Sequence, residues 1–159
     1  MVNLIKKKSI LSFIICLLFV ITAITLPYLS MNNKSEKNYV NIFQENKKIF
    51  GELASSFISL EHGMSIFEES GKIIERKNGK NTELSEYFQG EKTKSNIEKA
   101  IRELGIRSIG KINEYVEFTY YSKKGSYSIV YATNKNQLRV YTEIQHVEGN
   151  WYFCFIFHE

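Results

Sequence analysis

The chain has 159 residues, with 21 Lys and Arg against 17 acidic residues, every one of which is Glu. From Ser35 onward 17 basic residues face those same 17 Glu, so the formal charge of +4 comes from Lys6, Lys7, Lys8 and Lys34, and the remainder has no basic field to recruit nucleic acid. The absence of Asp excludes the usual calcium loop, a Ser-His-Asp triad and an aspartate dyad, although a triad built on Glu stays open.

Ile10 to Leu26 is a run of 17 residues without charge, in which Ser12, Thr22 and Thr25 are the only hydroxyls. Continued through Pro27, Tyr28 and Leu29 it reaches the length that crosses a hydrocarbon core of ~30 Å. The three lysines before it predict a cytoplasmic N-terminus. The expected arrangement is a cytoplasmic tail at 1–9, a transmembrane signal anchor at 10–29 in the lipid bilayer, and an extracytoplasmic α+β domain at 30–159, giving a single-pass protein of the cell membrane. The competing reading is secretion after signal cleavage, for which Ala23 with Ile21 before it makes a poor exit. Lipid attachment at Cys16 is disfavoured by the large Ile15, and Cys16 reads as a small apolar filler.

After a short polar link at 31–37, apolar residues recur at Tyr39, Ile42, Phe43, Ile49, Phe50, Leu53, Phe57 and Leu60. Spacings of three and four predict an amphipathic helix over Glu36 to Leu60, either covering its own domain or forming a coiled-coil seam with a second copy. Met64 to Phe67 reads equally as the end of that helix or the start of a strand. Lys72 to Lys77 reads as a short strand between Gly71 and Asn78-Gly79. Asn81 to Lys94 is polar and is expected to be a surface loop with one helical turn. Ser95-Asn96-Ile97-Glu98 has the form of a capping box, opening a helix whose apolar face is Ile97, Ala100, Ile101 and Leu104 and which ends at Gly105.

The C-terminal third reads as an antiparallel β-meander of about four strands, Tyr115 to Tyr121, Ser126 to Thr133, Leu138 to His146 and Trp151 to His158, separated by turn residues. Val116, Phe118 and Tyr120 alternate with Glu117 and Thr119, as on a half-buried strand. Trp151 to Ile156 is apolar on both faces, which suits a central strand. The fold class expected is therefore α+β, with an N-terminal transmembrane helix and amphipathic helices packed on that meander.

Cys154, inside the last strand, has aromatic flanks and no nearby cation, so a buried, inert thiol is expected rather than a nucleophile served by His146 or His158. His62, His146 and His158 are the only histidines; a zinc site using His146, His158 and Glu143 or Glu159 has no ligand-spacing motif behind it. No catalytic, cofactor-binding or metal-binding residue is assigned, and the chain reads as a non-enzyme without a cofactor. The sheet is rich in tyrosine, and Tyr120, Tyr127, Tyr131, Tyr141 and Tyr152 form the candidate binding surface for a peptide, an envelope protein or a wall component.

Leu104-Gly105-Ile106, Val116-Glu117-Phe118, Tyr127-Ser128-Ile129-Val130-Tyr131 and Gly149-Asn150-Trp151-Tyr152-Phe153 together resemble small uncharacterised membrane-anchored or secreted proteins of Gram-positive bacteria. The resemblance covers about the last 60 residues and carries over no functional residue. The expectation for function is a binding or accessory domain at the cell envelope. A pseudopilin-like assembly subunit and an extracytoplasmic hydrolase are the alternatives. The first of these lacks a Gly-Phe processing site, and the second lacks a convergent motif.

Overall fold

The computed structural model describes residues 38–60, 63–84, 88, 90–122 and 125–157. Residues 38–45 are helical (α1), followed by α2 (Lys47–Ile58), β1 (Met64–Glu69), β2 (Lys72–Lys77), β3 (Lys80–Glu83) and α3 (Glu91–Arg102). Then come β4 (Ser108–Ile112), β5 (Tyr115–Ser122), β6 (Gly125–Ala132), a 3-10 turn at Lys135–Leu138, β7 (Glu143–Glu148) and β8 (Trp151–Phe157). All the strands join one antiparallel sheet of eight, in the order β3-β2-β1-β4-β5-β6-β8-β7.

This corrects the expected α+β arrangement of a four-stranded meander. The sheet has twice the strands foreseen, and β8 lies between β6 and β7 instead of at the end of a meander. The transmembrane, signal-anchor and single-pass assignment is corrected as well, together with the cell-membrane localisation built on it. Among the described residues no helix is long and apolar enough to cross a membrane; α2 and α3 have 12 residues each, about 18 Å of helix against a core of ~30 Å. The apolar run from Ile10 to Leu29 lies outside the described residues.

Strand alternation divides the sheet into two faces, and cross-strand register lines up the rows. One row runs Ile66, Ile109, Phe118, Ile129 and Phe153 across β1, β4, β5, β6 and β8. All five are buried, beneath Phe50, Leu53, Ala54 and Phe57 of α2 and Ile97, Ala100 and Ile101 of α3. Burying each large side chain of this kind is worth ~1.5–3 kcal/mol, so the helices are held by their apolar stripes. The interior is largely aromatic: Phe50 meets Phe118 edge-on at 4.9 Å, and Phe43 lies 4.8 Å from Trp151. Lys111 projects from β4 into the same layer, where its ammonium donates to the carbonyl of Ile58 at the end of α2. A cation placed there meets the partial negative charge of a helix C-terminus.

The single helix expected over Glu36 to Leu60 is broken at Asn46, whose side-chain amide donates to Ile42 O at 2.9 Å while its backbone leaves helical geometry at φ −121°, ψ 22°. The second helix begins at Glu91, so Ser95 and Glu98 lie inside it and cap nothing; Gly90 is the N-cap, without a side-chain bond. Gly105 does end the segment in the left-handed region at φ +73°, and Ile106 N–H reaches back six residues to Ala100 O, one of the carbonyls that a helix end leaves without an intrahelical partner. Gly125 is dictated by a close approach: a Cβ there would stand 2.2 Å from Ile156 O.

The opposite face has its own smaller core. The segment after β6 starts with Asn134, whose side chain accepts from Asn136 N–H at 2.9 Å, and the 3-10 turn then carries Leu138 onto the sheet. Where a strand was expected from Leu138, the chain turns; Thr142 N–H bonds to Phe155 O at 2.8 Å, and β7 begins at Glu143. Leu138 and Tyr141 pack on Tyr115, Val130, Ala132 and Cys154. The loop thus covers the β5-β6-β8 half of this face, and among the described residues no helix covers the other half.

Candidate functional site

The five tyrosines picked from the sequence do not share a surface. Tyr120, Tyr127 and Tyr131 point to the helix side. Tyr120 is buried and stacked on Tyr39 at 4.2 Å. Tyr127 packs 4.5 Å from Phe155, and Tyr131 meets Trp151 at 5.1 Å. Tyr141 and Tyr152 belong to the opposite face, Tyr141 buried in the loop and Tyr152 half-buried against His146 at 5.4 Å. The cause is the two-residue period of a strand: Tyr120, Tyr127 and Tyr131 share the parity of Phe118 and Ile129, and Tyr152 has the other.

Cys154 is fully buried. Burial, with a further contribution from the Glu117 charge, pushes its thiol up to about 12, so at neutral pH it stays protonated and is a poor nucleophile. Around it Ser128 donates to Glu117 Oε1 at 2.5 Å, Tyr141 donates to the Glu117 carboxylate, and Tyr115 is hydrogen-bonded to Tyr141. Desolvation first, and Glu117 second, hold both phenols above their ordinary range. The cluster is a satisfied polar network under a lid of Leu138 and Tyr141, not an open site. We expect a thiol reagent at pH 7 to label Cys154 only as fast as the domain unfolds, measured by mass shift against urea concentration; prompt labelling in the absence of urea would contradict the burial.

His146 is exposed, with its Nε2 2.9 Å from Gly149 O. His62, His158 and Glu159 lie outside the described residues. Among the described residues no three His, Cys or Glu are grouped to hold a metal ion.

The open half of the second face carries a feature that the sequence reading missed. Register places Arg76, Ser65, Gly110 and Glu117 in one row across β2, β1, β4 and β5, and Ile74, Phe67, Ser108 and Thr119 in the next. The small residues Ser65, Ser108 and Gly110 make a floor. The walls are Phe67 with Arg76 on one side and Tyr121 with Arg107 on the other, enclosing a trough of about 520 Å³ with Glu68 at its rim.

The Arg76 guanidinium lies 4.6 Å over the Phe67 ring and donates from Nε to Asn81 Oδ1 at 2.9 Å, so it is held in place rather than free to swing. Tyr121 is 61% exposed, and among the described residues no acidic side chain pairs with Arg107. The signal that would have found the site is the pair Tyr120-Tyr121, which must send one ring to each face. A second hollow, about 580 Å³, lies between α2 and α3, and its Glu52 already accepts from Lys92 at 2.7 Å and Asn96 at 2.8 Å.

No family model, curated protein or solved structure matches the chain.

Proposed function

We propose that the protein is a non-catalytic binding module that holds a partner segment in the trough of Phe67, Arg76, Arg107 and Tyr121. The observation that carries this is the uneven covering of the sheet. Among the described residues helices close one face, the loop at 133–142 closes half of the other, and the rest is lined by the exposed Tyr121 ring, the half-buried Phe67 ring and two guanidinium groups over a floor of small residues. Exposed tyrosine and arginine are the residue types that dominate binding surfaces, because each brings a large, stiff contact area at low entropic cost. The Ser128, Tyr141 and Tyr115 hydroxyls and the Glu117 carboxylate around Cys154 are hydrogen-bonded to one another, which supports a structural role for them.

The test is a screen of small aromatic carboxylates against the full-length chain by amide chemical shifts. Shifts are expected to collect on Ser65, Phe67, Ser108 and Tyr121. Tyr121→Ala is expected to remove them while changing folding stability by no more than about 0.5 kcal/mol, as for other exposed positions. Shifts collecting instead in the hollow between α2 and α3, or around Cys154, would overturn the proposal.

A further inference from the structure

Building on the trough as the binding site, we infer that its ligand is an acidic peptide segment, with a carboxylate set between Arg76 and Arg107 and an apolar side chain laid against Phe67 and Tyr121. Two features select this chemistry. The first is that the polar groups on the walls are guanidinium forks, which match a carboxylate or phosphate with paired N–H donors. Arg76 is oriented by Phe67 and Asn81 before any ligand arrives, and Arg107 lacks an acidic partner among the described residues, so an arriving anion displaces no ion pair there.

The second feature separates an acidic peptide from a polyanion such as nucleic acid or polyphosphate. Among the described residues the trough's cations are Arg76 and Arg107 alone, and Glu68 beside it turns its carboxylate to the helix side, 3.9 Å from Arg102 Nε of α3. The chain from Ser35 onward is formally neutral. A ligand with charge along its whole length meets no continuous basic track in the trough, whereas binding of polyanions draws on many cations at once. A segment with one or two carboxylates beside an apolar residue matches two arginines flanked by two rings. The floor of Ser65, Ser108 and Gly110 leaves room for a backbone between them.

The experiment titrates the full-length chain with the blocked tetrapeptide Ala-Trp-Glu-Ala, its Gln counterpart, and inorganic polyphosphate, reading amide and arginine Nε–H shifts. The Glu peptide is expected to bind at the trough about tenfold or more tighter than the Gln peptide, since a hydrogen bond to a charged group is lost. Arg107→Gln is expected to bring the Glu peptide down to the affinity of the Gln peptide, with the affinity of the Gln peptide unchanged. Equal binding of both peptides at the trough would overturn the inference yet leave the binding module standing. Polyphosphate binding more tightly than the Glu peptide would overturn it in favour of a polyanion. Absence of any shift at the trough with either peptide would overturn it outright, and the carboxylate screen would then decide the broader reading independently.

Discussion

Replacing Phe118 by Ala is expected to destabilise the domain by about 3–5 kcal/mol, which is a large part of the stability of a small domain. Phe118 has no exposed surface, sits at the middle of the row from Ile66 to Phe153, and packs edge-on against Phe50 while facing Trp151 at 6.0 Å. Truncation removes the ring from both the sheet and the α2 contact. The walls are strands and a helix already locked by their own hydrogen bonds, so the void closes only partly. Three residues along the same strand, Tyr121 faces the other way and stands exposed, and it serves as the control. Urea melts of the two variants separate the faces: a loss at Phe118 no greater than that at Tyr121 would mean that α2 does not cover β5.

A second large effect is expected at alkaline pH. The Cys154 thiol has an ordinary value of 9.0, and burial and Glu117 push it up to about 12; Tyr141 and Tyr115 are raised from 10.0 by desolvation and the same carboxylate. Below pH 9 the folded and unfolded chains both keep these protons, and the full stabilisation is present. Between pH 9 and about 12 the unfolded chain sheds the Cys154 proton that the folded chain retains, so stability falls as pH rises, by about 1.4 kcal/mol per pH unit for the thiol, and above pH 10 the raised phenols act in the same direction.

For Cys154 alone the loss by pH 12 is on the order of 4 kcal/mol. Melts at pH 8 to 11.5 are expected to show this decline. The slope is expected to ease by about one proton in Cys154→Ala and to ease again in Tyr141→Phe. Stability that stays level from pH 9 to 11 would mean that these groups are already hydrated in the folded state.

Parts of this architecture are written plainly in the residues. Val116, Phe118 and Tyr120 alternate with Glu117 and Thr119, and β5 forms there. Lys72 to Lys77, between Gly71 and Asn78-Gly79, is β2 with the same bounds. Gly105, three residues beyond α3, takes the left-handed conformation that its position implies. Other parts have no local signature. Ser108-Ile109-Gly110-Lys111-Ile112 is short, with Gly and Lys inside it, and becomes β4 because β1 and β5 bond to it on both sides; such a strand is specified by its neighbours. Lys80–Glu83 is exposed at all four positions and is likewise a strand through pairing with β2 alone.

The trough was illegible for a related reason. Phe67, Arg76, Arg107 and Tyr121 come from β1, β2, the link before β4 and the end of β5, and they meet only once the register is set. The candidate tyrosines were a composition signal without a face, and parity distributed them across both sides.

The position of β8 bears on how the chain is made. Strand β7 leaves the ribosome before β8, yet β8 is its only hydrogen-bonded neighbour, and until β8 arrives the edge of β6 that β8 will occupy is bare. A chain in which β8 has not yet docked therefore holds one unpaired strand, β7, and one bare edge, that of β6 beside Tyr127, Ile129 and Tyr131, and such edges are templates for association with another chain. The docking of β8, which closes both edges at once, is then the step of folding at which the chain is most open to aggregation.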